Sequence, residues 1–244
     1  MDLSSATSYS GVTGAAQLTA GMAVELDATL QADGALQASN LAVYDTDALN
    51  TSLWVGPIVF VGASESALYL EAQEQTGALL IGGDAPVAYA DASFAVGADA
   101  NTLSGLPFSP SFTSSNMVAG QYVAAVFHES SPGSTALSTA PSSLTLVPQT
   151  VNGTVTGITT SGSYTVYTLA LADYNLFPTL AVQDGQNTKL STPTFMQVYV
   201  SSKTVQKTSA SITLSSLVRV NGLVFNDNGA LRMVCEQIND GVSE

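Results

Sequence analysis

The stretch Ser216-Leu217-Val218-Arg219-Val220-Asn221-Gly222-Leu223-Val224-Phe225-Asn226-Asp227-Asn228-Gly229-Ala230-Leu231 decides the fold. Its first half alternates apolar and polar residues, the pattern of a half-buried strand. Asn228-Gly229 is a turn dipeptide, because Asn and Gly accept positive φ at little cost. Leu231 opens a return strand that points back to the core. The stretch is therefore a β-hairpin.

The same hairpin occurs near the start of the chain, as Gly21-Met22-Ala23-Val24-Glu25-Leu26-Asp27-Ala28-Thr29-Leu30-Gln31-Ala32-Asp33-Gly34-Ala35-Leu36. Val24 matches Val218, Leu26 matches Val220 and Ala28 matches Gly222. Gly34-Ala35-Leu36 then matches Gly229-Ala230-Leu231 after a one-residue insertion in the turn. A weaker middle copy runs from Ala119 to Phe127 and turns at Ser130-Ser131-Pro132-Gly133. It returns through Ala136-Leu137 towards Leu144-Thr145-Leu146-Val147. Self-similarity of this kind marks a repeat architecture.

Each hairpin closes a segment. The third segment, residues 149–244, has strands over 150–156, Tyr164–Leu171 and Phe195–Val200 before its hairpin. An irregular loop through Tyr174, Phe177, Pro178 and Gly185 interrupts them. That makes about five strands, the number of a small Greek-key or OB-like barrel. The second segment, residues 49–148, reads in a similar order. Its strands are Trp54–Val61, Ala67–Ala72, Ala78–Ile81, Pro86–Tyr89 and Val118–Phe127, with a long insertion. The first segment, residues 1–48, holds only the closing hairpin. Either the given chain begins in mid-repeat or a neighbour supplies the opening strands. Long amphipathic helices with caps at both ends are missing from the pattern, so the expected class is all-β, as tandem OB-like or Greek-key barrels with the first one incomplete.

Composition narrows the function. The chain has 244 residues, of which 45% are hydrophobic, so a core can form. Charged residues are 10%, against a usual value of about 25%. There are 5 Lys+Arg against 19 Asp+Glu, a net charge of −14. Nucleic acid is excluded as a partner, because phosphate neutralisation needs clustered Lys or Arg. An anionic membrane surface repels such a chain for the same reason. Mean hydropathy of +0.27 argues against disorder. No run approaches the ~20 apolar residues of a membrane-spanning helix. Met1-Asp2-Leu3-Ser4-Ser5 lacks the basic and apolar regions of a signal peptide, so none is expected. Polarity comes mainly from Ser and Thr. That Ser/Thr/Ala/Gly-rich, Lys-poor composition suits bacterial secreted or cell-surface β proteins.

The hairpins also carry a resemblance. Their pattern is approximately G-x-x-V-x-V-x-G, a short loop, D-G-x-L and a final apolar strand. The first copy keeps Gly21, Val24, Leu26, Asp33, Gly34 and Leu36, with Ala28 where the pattern has Gly. The last keeps Val218, Val220, Gly222, Gly229 and Leu231, with Ser216 and Asn228 where Gly and Asp stand. The middle copy keeps Gly120 and Val123 and loses the D-G turn. In this the chain resembles a bacterial envelope and lipoprotein family of unknown function, the DUF-5666 type, which occurs as tandem β-barrel-like repeats. The resemblance covers about half the chain. It implies an OB-like fold and an envelope or extracellular location, and it supplies no catalytic residues.

Residues with chemical potential each have a plain alternative. His128 is the one histidine, so a His-rich metal site cannot form and any Ser-His-Asp triad must use it. It reads as a strand-end residue, and no G-x-S-x-G elbow accompanies it. Cys235 is the one cysteine, which excludes an internal disulfide and reads as a buried, inert thiol. Asp45/Asp47 and Glu71/Glu74 are carboxylate pairs that a glycosidase could use. Asp45 to Asn50 also faintly matches a Ca²⁺ loop but lacks its Gly and terminal Glu. A solvated linker and the polar face of a strand pair, with Glu65, explain these residues without chemistry.

The aromatic residues offer a binding alternative. Trp54, Phe108, Phe112, Tyr174 and Phe177 are the candidate ligand or partner contacts, the last four on two long irregular stretches. The sequence thus points to a non-enzymatic extracellular or envelope protein. It would have a structural or interaction role, and no catalytic residue, metal or cofactor is expected. The expected partners are itself, in an oligomer or filament formed by β-strand addition, or other envelope proteins. The alternative is a module binding carbohydrate or another small ligand through loop aromatics, with polysaccharide as partner.

Overall fold

The computed structural model describes residues 2–4, 7–20, 22–31, 35–45, 51–63, 65–70, 73–75, 78–80, 83–98, 102–128, 140–182, 188–208 and 210–240. The expected turns at Asp33-Gly34 and 130–133 lie outside them, as do Asp47, Glu71 and Gly185. The side chains of Asp45, Glu65, Glu74 and His128 also lie outside what is described.

The protein is all-β with several sheets. The first sheet contains β1 (Ser8–Ser10), β2 (Ala23–Leu30) and β3 (Leu36–Asp45). The second region contains β4 (Thr51–Val61), β5 (Glu65–Leu70), a small hairpin of β6 (Gln73–Gln75) and β7 (Ala78–Leu80), β8 (Gly83–Ala88), β9 (Ser93–Val96), β10 (Tyr122–His128) and β11 (Ser143–Leu146). The third contains β12 (Gln149–Ser161), β13 (Tyr164–Leu171), helix α1 (Leu176–Val182), β14 (Phe195–Val200), β15 (Val205–Lys207), β16 (Leu217–Asp227) and β17 (Ala230–Asp240).

In the third region the strands pair around a circuit. β12 pairs with β13, β13 with β14, β14 in parallel with β17, β17 with β16, and β16 with β12. Burial along β12 alternates over Gln149 to Val155, the period of a half-buried strand. Val151, Val155, Leu169, Val198, Val218, Val220, Val224 and Met233 fill the interior. Asp227 pairs with Ala230, leaving Asn228 (φ 51°) and Gly229 (φ 91°) as a two-residue turn. Both residues take the left-handed conformation that a tight hairpin requires.

The apolar run Leu223-Val224-Phe225 departs from simple alternation because both faces of β16 are covered there. Val224 points into the third core, while Leu223 and Phe225 join Trp54, Ile58, Val123 and Phe127 in the core of the second region. Val234 does the same from β17. The second and third regions thus share a core. Burying Leu223 and Phe225 contributes on the order of 1.5–3 kcal/mol each.

Two buried glutamines lock this junction. The Gln121 side chain accepts from the Val118 N–H at 2.8 Å and donates to the Val224 carbonyl at 2.9 Å. Gln149 accepts from the Tyr122 N–H at 3.0 Å and donates to the Gly120 carbonyl at 2.9 Å. Helix α1 is held by Asn175, whose side chain bonds the backbone N–H and C=O of Asn152.

The second sheet runs β8-β5-β4-β10-β11-β9, and the third runs β14-β13-β12-β16-β17-β15. Strand for strand the order is the same. The difference is that β8 and β11 do not pair among the described residues, so the second sheet is open rather than the barrel expected from the sequence. Its long stretch before β10 packs Phe112 into the second core, while Phe108 packs both on that core and on a small cluster of Tyr164, Val166 and Tyr199 from the third region.

The first sheet is more than the bare hairpin expected over residues 1–48. The Thr7 hydroxyl accepts from the Ser4 N–H at 3.1 Å and donates to the Ala38 carbonyl at 2.8 Å. The Thr204 hydroxyl accepts from the Ser201 N–H at 3.0 Å and donates to the Cys235 carbonyl at 2.8 Å. After each turn a short strand pairs in parallel with the long one, Ser8 with Asn40 and Val205 with Gln237. Before each turn, Asp2 bridges Gln37 as Tyr199 pairs with Val234. A β-bulge falls in the same place, opposite Asp27/Ala28 and opposite Asn221/Gly222. This register corrects the sequence alignment at one point. Leu30 pairs with Leu36 as Val224 pairs with Met233, so Leu36 corresponds to Met233 and not to Leu231. Matching the turn glycines misaligned the strands because the first hairpin is shorter.

Candidate functional site

The five aromatic residues singled out from the sequence are not brought together. Trp54 and Phe112 are buried in the second core, Trp54 against Phe127 with ring centroids 4.5 Å apart. Phe177 is buried in the third core. Phe108 is half-buried, 5.1 Å from the Tyr199 ring and 5.9 Å from the Phe225 ring, with the Arg232 guanidinium 5.4 Å away. Phe108 and Phe112 lie on irregular backbone, which can bury large rings without periodicity, so these two read as exposed candidates. Only Tyr174, 63% exposed, offers a surface. It borders a small cavity of about 150 Å³ beside β12 and α1.

A cavity of about 550 Å³ lies elsewhere, between the first sheet and the third region. One wall is the polar face of the first sheet, with Ser8, Asp27 and Asn40. The opposite wall holds Tyr164, Tyr199, the Ser201–Lys203 turn and Glu236. Thr102 and Ser104 close one side. The polar groups of the first wall form a row. The Ser8 hydroxyl donates to Asn40 Oδ1 at 2.9 Å, and Asn40 Nδ2 donates to Asp27 Oδ2 at 3.4 Å. Across the cleft, the Ser201 hydroxyl accepts from the Lys203 N–H at 3.1 Å. The Tyr164 hydroxyl donates to the Ser104 carbonyl at 3.1 Å, which fixes its ring in the wall.

Glu236 is the residue that occupies the β-bulge, and its surroundings shift its titration. Burial, then the charges of Asp27 and Glu25, push its carboxyl up from 4.5 to about 7. An acid whose folded pKa is raised binds its proton more tightly in the folded state. Stability is then unaffected below the unfolded pKa near 4.5 and falls as pH rises towards 7. Replacing Glu236 by Gln removes that loss. We expect the melting temperatures of Glu236→Gln and the parent to be similar at about pH 4. At about pH 8 the variant should be more stable, by on the order of 2 kcal/mol. Thermal melts across that range check it, and a pH-independent difference would contradict the assignment.

Cys235, its neighbour, faces the third core. Burial and the adjacent Glu236 push its thiol up to about 12, so it is protonated and unreactive at neutral pH. Among the described residues no group of three or more His, Cys, Asp or Glu side chains is arranged to hold a metal ion. Among the described residues no helix is long and apolar enough to cross a membrane. The cleft carried no signal in the sequence, because it is made of exposed hydroxyls and short polar turns from segments far apart in the chain. The repeated Ser-Ser-x-Thr at Ser4–Thr7 and Ser201–Thr204 is common to the first and third regions, but only its second occurrence lines the cleft.

No protein-family model matches this chain, and no curated protein matches it.

Proposed function

We propose that the chain is a non-enzymatic β-repeat protein of OB-like units, with a structural or interaction role outside the cell or in the bacterial envelope. In this reading it self-associates by strand addition at its first unit. The OB-like description rests on the circuit of five paired strands in the third region, with one parallel contact between β14 and β17. The location rests on the Ser/Thr-rich, Lys-poor composition and on the resemblance to envelope repeats.

The observation that carries self-association is the exposure of residues whose counterparts form a core. Val24 is 38% exposed, Leu30 68% and Leu36 45%. Their counterparts Val218, Val224 and Met233 are fully buried. Among the described residues β2 pairs only with β3, whereas the matching edge of β16 is covered by β12 through Gln149 to Thr154. An unpaired strand edge beside exposed apolar side chains is a template for another chain. A second copy presents the same surface and can pair with it about a two-fold axis.

Light scattering during size exclusion tests this. The chain is expected to run as a dimer or larger species, and Val24→Lys/Leu30→Lys as a monomer with unchanged circular dichroism. A parent chain that stays monomeric at the highest soluble concentration would overturn self-association.

A further inference from the structure

We propose that the cleft between the first sheet and the third region binds a neutral polyhydroxylated ligand, such as the end of an oligosaccharide. This reading does not depend on self-association. It differs from a loop-aromatic site, since the rings on those loops are largely interior.

Three observations carry it. The cavity, about 550 Å³, is in the range of about 300–1,000 Å³ usual for small-ligand sites. Its first wall carries a pre-ordered row in which the Asn40 amide and the Asp27 carboxylate lie side by side, with Ser8 behind them. Adjacent hydroxyls of a sugar both donate and accept, so a row that offers both functions fits a diol. The opposite wall adds a rigid aromatic ring, Tyr164, and the carboxyl of Glu236.

Charge and polarity narrow the class further. Asp27 and Glu236 outnumber Lys203 in the cleft, and the whole chain carries −14, so an anionic ligand is disfavoured. A lipid or other apolar ligand would displace water from the remaining donor and acceptor positions of these groups without replacing it, which costs free energy. A neutral polyol satisfies them.

The test uses the whole chain on an array of neutral oligosaccharides, followed by NMR titration with the strongest binder. Trigalacturonate and spermidine serve as charged comparators. We expect backbone amide shifts at Asn40, at Ser201 to Lys203 and at Glu236. Asp27→Ala should weaken binding at least tenfold, and so should Ser202→Trp, which fills the cleft from an exposed turn. Both changes lie on the surface, so the amide spectrum reports that each variant is folded. Absence of binding to every neutral oligosaccharide would overturn the proposal. Binding mapped to Tyr174 would also overturn it, as would binding unaffected by both substitutions. Shifts at these residues with spermidine alone would reassign the cleft to cations.

Discussion

Gly222→Val should prevent the third region from folding. A Cβ at Gly222 would lie 2.1 Å from the Val234 carbonyl oxygen and 3.0 Å from Cys235 Cα. Both are backbone atoms of the paired strand, so no side chain can rotate away. Relief requires β16 and β17 to separate at the bulge. That would expose Val220, Leu223 and Val224, which belong to two cores. The expected loss exceeds about 4 kcal/mol, the range in which a point change unfolds a domain. Urea denaturation and soluble yield measure it. Gly222→Ala is the graded version and should still cost more than about 2 kcal/mol. The internal control is Ala28, which occupies the same place in the first sheet's bulge with its Cβ present. Ala28→Gly should cost only about 0.5–1 kcal/mol, the entropy of an added glycine. A Gly222→Ala chain as stable as the parent would contradict the close approach.

Gln121→Leu should have the next largest effect. The substitution keeps the approximate volume and removes both polar ends. The Val118 N–H and the Val224 carbonyl then lose their partners inside the protein. Each unmade bond to a buried group costs about 1–3 kcal/mol, so a loss of roughly 2–5 kcal/mol is expected. The distribution of that loss matters more than its size. Gln121 joins the second region to β16, so its removal should loosen the stretch before β10 that covers the second core and the Tyr164, Val166 and Tyr199 cluster. Limited proteolysis near Phe108 and Phe112 should accelerate by more than the global loss explains. Gln121→Glu keeps the acceptor for Val118 but sets a carboxylate oxygen against the Val224 carbonyl in a fully buried place, so at neutral pH it should cost at least as much as the Leu variant. Equal proteolysis of parent and Leu variant at matched global stability would refute the coupling.

Much of the sheet structure is legible in the sequence, for local reasons. Asn228-Gly229 announces its turn, because few residue pairs adopt two positive φ angles in succession. The alternation over Val218 and Val220 announces which face is inward. The run Leu223-Val224-Phe225 was also visible, but a continuous apolar run does not say what covers its second face. That depends on the second region, which is distant in sequence. The match of Leu36 to Leu231 fails because the first hairpin is shorter beyond the shared bulge, and hairpin length has no periodic signature. The binding candidates fared differently. Phe112 and Phe177 fill cores, Phe108 packs under Arg232, and Tyr174 alone remains at the surface. The cleft was invisible because Ser8, Asp27, Asn40, Ser201 and Glu236 meet only through the tertiary arrangement.

The circuit of the third region also sets an order in time. The Asn228-Gly229 hairpin needs only a two-residue turn, and such hairpins form in about 1–10 μs. Closing the circuit is slower, because Gln149 must find Gly222 and Met196 must find Leu231. Pairings so distant along the chain place folding in the range of milliseconds to seconds. During synthesis the residues of β12 to β14 emerge before those of β16 and β17. Until the last strand arrives, Val151, Val155 and Leu169 have no lid. Residues 217–240 therefore act as a latch, and a ribosome that pauses before them leaves an adhesive surface exposed.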